Sequence, residues 1–185
     1  MRHFIEQIKN LTFQKSSNHT VISRLFQNVN DELLFTSDVH EILRDISTNE
    51  LCFLIFNMGN LARYSQVNIK AATLNRLFSE IILSSKLNTK MLTQCLYGAG
   101  KLAEAGRLQD SLAQQHIQAL VAQLTTSHPN PQEIANTIWG LGKLIEYRLL
   151  NLDILELPIS GFMAQMNVDV LSNIELGQII YGFSQ

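Results

Sequence analysis

Four stretches of the chain carry the same arrangement of apolar and polar positions. Leu51, Leu92, Ile134 and Leu176 form one apolar column, and Ile55, Leu96, Ile138 and Ile180 form a second, four residues later in each stretch. A spacing of four puts both columns on one face of a helix. An aromatic column follows at Phe56, Tyr97, Trp139 and Tyr181, with separations of 41, 42 and 42 residues. Small residues keep the same step: Asn57, Gly98, Gly140 and Gly182, then Gly59, Gly100, Gly142 and Ser184. Ahead of the apolar columns stand Ser47, Asn88, Asn130 and Ser172. Their side chains accept hydrogen bonds from the unpaired amides of a first helical turn, so they predict four helix starts. Glu50, Glu133 and Glu175 complete capping boxes, Met91 breaks that pattern, and Pro131 occupies the first helical position, where no amide is needed.

Between these starts lie further amphipathic stretches: Ile69, Leu74, Leu77, Phe78, Ile81 and Ile82, then Leu108, Leu112, Ile117, Leu120, Val121 and Leu124. A third is interrupted by Pro158, where a helix starts or kinks. Each unit is therefore predicted to be a helix pair. The expected fold is all-α, a right-handed alpha-alpha solenoid of about four helix-pair repeats of 41–42 residues, spanning 47–185, with the last repeat incomplete. Residues 1–46 read as a divergent N-terminal helical cap or repeat, with Ile22, Leu25, Phe26, Val29 and Leu33 on one face and Val39, Ile42, Leu43 and Ile46 on another.

Composition narrows the function classes. The formal charge of −2 and a pI near 6.2 do not supply the overall basic footprint of a phosphate-backbone binder. Cys52 and Cys95 have neither metal-site nor disulfide-framework spacing, which suits a cytoplasmic or other reducing compartment. The longest apolar run, Leu51 to Phe56, is too short for a membrane span, and Met1 to Gln14 lacks the apolar core of a secretory signal.

Chemistry-bearing motifs are few. Gly98-Ala99-Gly100-Lys101 and Gly140-Leu141-Gly142-Lys143 resemble phosphate loops, but leucine follows each lysine and the upstream glycine is replaced by Cys95 or Thr137. His3, His19, His40, His116 and His128 show no ligand spacing, and the glutamates at the helix starts are engaged as caps. No enzyme activity, metal or cofactor is expected.

The string from Pro131 to Leu144, with Asn136 and Trp139 in register, closely resembles the first-helix signature of octotricopeptide-type repeat proteins. The resemblance extends over residues 47–185, with Asn136 replaced by Phe53, Gln94 or Gln178 in the other units. It implies paired helices stacked into a superhelix. In organellar members it also implies recognition of single-stranded RNA, and similar repeats occur in proteins of intracellular bacteria, which adds delivery into a host cell as an alternative localisation.

On a helical wheel Asn136, Gly140 and Lys143 fall opposite the apolar columns, and Trp139 falls beside the core. Repeated across the units, that side predicts a ligand-binding stripe of Phe53, Asn57, Asn60, Gln94, Lys101, Asn136, Lys143 and Gln178. Amides and lysines there suit a polar ligand. Gly140 is read as facing either a ligand or an adjacent helix. A non-enzymatic scaffold for a protein partner is the first expectation, single-stranded RNA the alternative, and self-association through the open C-terminal end a third.

Overall fold

All four predicted cap residues start helices. The computed structural model describes residues 1–13, 18–35, 43–84, 87–151, 164 and 171–184, and these are predominantly helical. Helices α1 (Arg2–Phe13) and α2 (His19–Phe35) precede α3 (Thr48–Leu61), which is capped by Ser47; a short 3-10 turn, Ala62–Tyr64, follows it. Next come β1 (Ile69–Lys70), α4 (Ala71–Ile82) and α5 (Thr89–Glu104), the last capped by Asn88. The chain continues through β2 (Leu108–Gln109), α6 (Gln114–Thr126), α7 (Pro131–Glu146) and α8 (Asn173–Phe183). Asn130 and Ser172 cap α7 and α8 through full capping boxes, as Ser47 does for α3; Asn88 accepts only the Met91 amide.

The helices fall into two sets by what they touch. The most extensive contacts join α3 to α5, α5 to α7 and α7 to α8, and α1 packs against α3. In the second set α2 packs on α4 and α4 on α6, while α3 with α4 and α5 with α6 connect the two sets. The core between them holds most of the predicted apolar columns: Leu51, Leu92, Ile134, Ile55, Leu96 and Ile138 are buried, whereas Leu176 is half-buried and Ile180 is exposed. It also holds Ile22, Leu25, Phe26, Val29 and Leu33 of α2, together with Leu43 and Ile46; Val39, Ile42 and Pro158 lie outside the described residues.

Glycine sets the spacing of the capped helices. A Cβ added to Gly140 would lie 2.6 Å from the carbonyl oxygen of Leu96, and one added to Gly142 would lie 2.6 Å from the Cα of Gly182. Backbone meets backbone at both places, so no side chain fits. Gly140 therefore faces the neighbouring helix, which decides between its two expected roles.

The second set of helices starts later than the apolar pattern suggests. Ile69 and Leu108 are not helical but pair with each other in a two-residue parallel bridge, and Leu112 donates its amide to Leu149 O at 3.0 Å. Neither Lys70 nor Ala113, the N-caps of α4 and α6, bonds through its own side chain. Asparagines of the preceding helix in this set hold the cap residues themselves. Asn30 of α2 accepts from the Thr73 hydroxyl at 2.8 Å and the Lys70 amide at 3.3 Å, and Asn75 of α4 accepts from the Ala113 amide at 2.9 Å.

Candidate binding groove

The residue six positions after each cap is Phe53, Gln94, Asn136 or Gln178. Because α5, α7 and α8 lie side by side, Gln94, Asn136 and Gln178 come together in one groove of about 370 Å3. Phe56 and Tyr97 bring apolar rings to it, Thr93 and Gln132 add polar groups, and Ser172, Ile174 and Glu175 at the start of α8 complete it. Gln178 Nε2 donates to Asn136 Oδ1 at 3.2 Å, so two of the carboxamides form a rung between neighbouring helices. Deeper between α5 and α7, the hydroxyls of Thr93 and Thr137 approach to 3.4 Å. Glu175 is committed to its cap: the Ser172 amide and hydroxyl hold its carboxyl below the ordinary range.

The rest of the expected stripe is placed differently. Asn57 is 1% exposed and donates its amide to Phe53 O at 2.7 Å, so it satisfies its own helix and presents nothing to a ligand. Phe53 is half-buried beneath α1, with Lys9 Nζ 5.7 Å from its ring centre, and Asn60 is half-buried near the end of α3. The wheel misjudged these positions because a helix within a row is covered by a neighbour on each side as well as by the second set beneath it. Only a narrow strip stays free.

The aromatic column borders that strip rather than the core. Phe56, Tyr97, Trp139 and Tyr181 are all half-exposed. Ring centres lie 6.3 Å apart for Phe56 and Tyr97 and 4.8 Å apart for Tyr97 and Trp139, tilted by 32° and 40°. Lysines sit over the rings: Lys101 Nζ is 5.5 Å from the Tyr97 ring centre, and Lys143 Nζ is 5.7 Å from that of Trp139 and 4.1 Å from that of Tyr181.

Lys143 is not the accessible cation that the sequence suggests. Its side chain is 10% exposed and its ammonium lies 3.1 Å from Glu146 and 3.4 Å from Glu104. Burial works against its charge, but the bonds to Tyr181 and Glu146 and the nearby Glu104 outweigh it and hold the ammonium above the ordinary lysine range. The Tyr181 hydroxyl also donates to Glu146, whose carboxyl is kept below its ordinary value by Tyr181 and Lys143. Lys143 thus ties α5, α7 and α8 together.

Sequence reasoning found Gln94, Asn136 and Gln178 but missed Thr93, Gln132, Ile174 and the two rings. The signal for the rings was present, since their column had been recognised; what was lacking was the packing that leaves one edge open. Cys52 and Cys95 are both buried free thiols, and burial, reinforced by Cys52, pushes the Cys95 thiol up. Among the described residues no group of three or more His, Cys, Asp or Glu side chains converges on a metal position, and no helix is long and apolar enough to cross a membrane. Comparison with known proteins finds no family model, no curated protein and no solved structure that matches this chain.

Proposed function

We propose that the chain is an alpha-alpha solenoid of helix-pair repeats acting as a non-enzymatic scaffold, and that it binds an extended peptide segment of a protein partner in the groove across α5, α7 and α8. The observation that carries this reading is the convergence of four carboxamides, Gln94, Gln132, Asn136 and Gln178, around the rings of Phe56 and Tyr97. Carboxamides both donate and accept, as a peptide main chain does, and the rings offer an apolar seat for a side chain. The packing of α3, α5, α7 and α8 in chain order supports the repeat reading.

Single-stranded RNA fits this groove less well. Among the described residues no lysine or arginine lines it, Lys143 is already neutralised by two carboxylates, and the Tyr97 ring packs against that of Trp139 at 4.8 Å. Base stacking needs an open face and the backbone needs cations.

The test is selection of binders from a random peptide display library, followed by measurement of the selected peptides by fluorescence anisotropy. Asn136→Ala should weaken those peptides by about tenfold, the loss of one or two buried hydrogen bonds, with helicity unchanged. Failure to select any peptide that competes at this groove, or salt-sensitive binding of a random single-stranded RNA pool that is abolished by Lys101→Ala, would replace the peptide reading.

A further inference from the structure

Helices α3 and α5 bring the two cysteines of the chain to one interface. Cys52 stands on α3 and Cys95 on α5, and both are 0% exposed. Counted from the caps, Cys52 is the fifth residue after Ser47 and Cys95 the seventh after Asn88. In the next interface, between α5 and α7, those two positions are Thr93 and Thr137, whose hydroxyl oxygens lie 3.4 Å apart. The two interfaces share one register. A Cβ added to Gly98 would lie 2.6 Å from Ile55 O, and one added to Gly140 would lie 2.6 Å from Leu96 O. In each interface the glycine and its partner stand three residues beyond the paired side chains. A cysteine sulfur takes the place of a threonine hydroxyl on the same Cβ, so the shared register sets the two sulfurs against each other, and the Cys52 thiol is a hydrogen-bond partner of Cys95.

We propose that Cys52 and Cys95 are a redox pair: hydrogen peroxide converts the two thiols into a disulfide that staples α3 to α5. A disulfide needs Cβ atoms about 4 Å apart, a spacing within reach of two helices whose backbones already touch one turn away at Gly98. The chemistry balances with peroxide as the oxidant. The first sulfur takes one oxygen from the peroxide, becoming a sulfenic acid and releasing water; the second sulfur attacks it, the S–S bond forms, and the hydroxyl leaves with the second thiol's proton as another water. Because the second thiol is already in place, it intercepts the sulfenic acid before further oxygen can add.

Burial governs the speed of this reaction rather than its outcome. The thiolate is the reacting form, and burial, which pushes the Cys95 thiol up, keeps it scarce. The pair therefore responds to sustained oxidation and stays reduced through brief exposure. Once formed, the bond closes a loop of about forty residues and restricts the unfolded chain, so the oxidised protein is the more stable one. The pairing does not depend on what the groove binds.

Prolonged treatment of the full 185-residue chain with hydrogen peroxide in native buffer, followed by unfolding in urea and alkylation of the remaining thiols, tests the pair. Both thiols should disappear together, and a digest should contain one disulfide-linked peptide pair carrying Cys52 and Cys95. The urea midpoint of the oxidised chain should rise by about 1 M or more and return on treatment with dithiothreitol. In Cys52→Ser the partner is gone, so peroxide should leave the midpoint where it was or lower it. If Cys52→Ser does not fold, Cys95→Ala carries the same comparison. Loss of one thiol alone, disulfides only between chains, survival of both thiols under peroxide that oxidises the urea-unfolded chain, or an oxidised form with a lower midpoint would overturn the proposal.

Discussion

Arg148 occupies a backbone conformation meant for glycine. Its φ is +58°, and the amide bonds around it, Arg148 N to Ile145 O and Leu149 N to Leu144 O, both 2.8 Å, close α7 in a Schellman motif. One unit earlier the same two bonds close α5 around Gly106, at φ +63°. An L side chain in this region costs about 1 kcal/mol or somewhat more. Arg148→Gly should therefore raise stability by about 1 kcal/mol, read as a higher urea midpoint at unchanged slope. An unchanged midpoint would mean that the arginine side chain offsets the strain. Single residues were legible wherever their partner is local: Ser47, Asn88, Asn130 and Ser172 bond within three residues, and all four were read from the chain. Lys143 was misplaced because its surroundings come from a helix about forty residues away, where Glu104 stands, and Asn57 because its amide turns back to Phe53 O of its own helix.

At the scale of the element, the capping boxes make the helices acid-sensitive. The side chain and amide of Ser47 lower the pKa of Glu50 from its ordinary 4.5, and the amide and side chain of Ser172 do the same for Glu175. A carboxyl whose folded pKa is depressed adds stability that is complete above the unfolded value and is lost as pH falls through the folded one. The double variant Glu50→Gln, Glu175→Gln should therefore be less stable than the parent at neutral pH and approach it in acid. Urea titrations from about pH 7 down to about pH 3 would show the two curves converging, and a constant gap would locate the effect in packing rather than ionisation. The same elements show where sequence reading stops. The capped helices began where their own residues said, whereas α4 and α6 began two to six residues after their first apolar positions, Ile69 and Leu108, because Asn30 and Asn75 of the preceding helix set their starts.

For the whole molecule, the helical class and the order of the capped helices were legible, since Ser47, Asn88, Asn130 and Ser172 each begin a helix and α3, α5, α7 and α8 pack in that order. The groove was half legible: the chain names the carboxamides, but only the lateral spacing of α5, α7 and α8 decides which of them share a space. That spacing is set by glycine, which permits a test linking packing to binding. In an isolated helix Gly142→Ala would stabilise by about 1 kcal/mol. Here the new methyl would meet the backbone of Gly182 at 2.6 Å, and neither helix backbone has a flexible end to move aside, so α8 must shift outward. Because each capped helix packs chiefly on its immediate neighbours, the damage should stay at one end. Hydrogen exchange should accelerate in Asn173–Phe183 by about tenfold or more while Thr48–Leu61 keeps its protection. The displaced helix takes Ile174, Glu175 and Gln178 with it, so peptides selected against the parent should lose affinity although Gln94 and Asn136 are untouched. Uniformly faster exchange across all the helices would instead show that the chain unfolds as one cooperative unit, and that a groove at one end cannot be opened without loosening the rest.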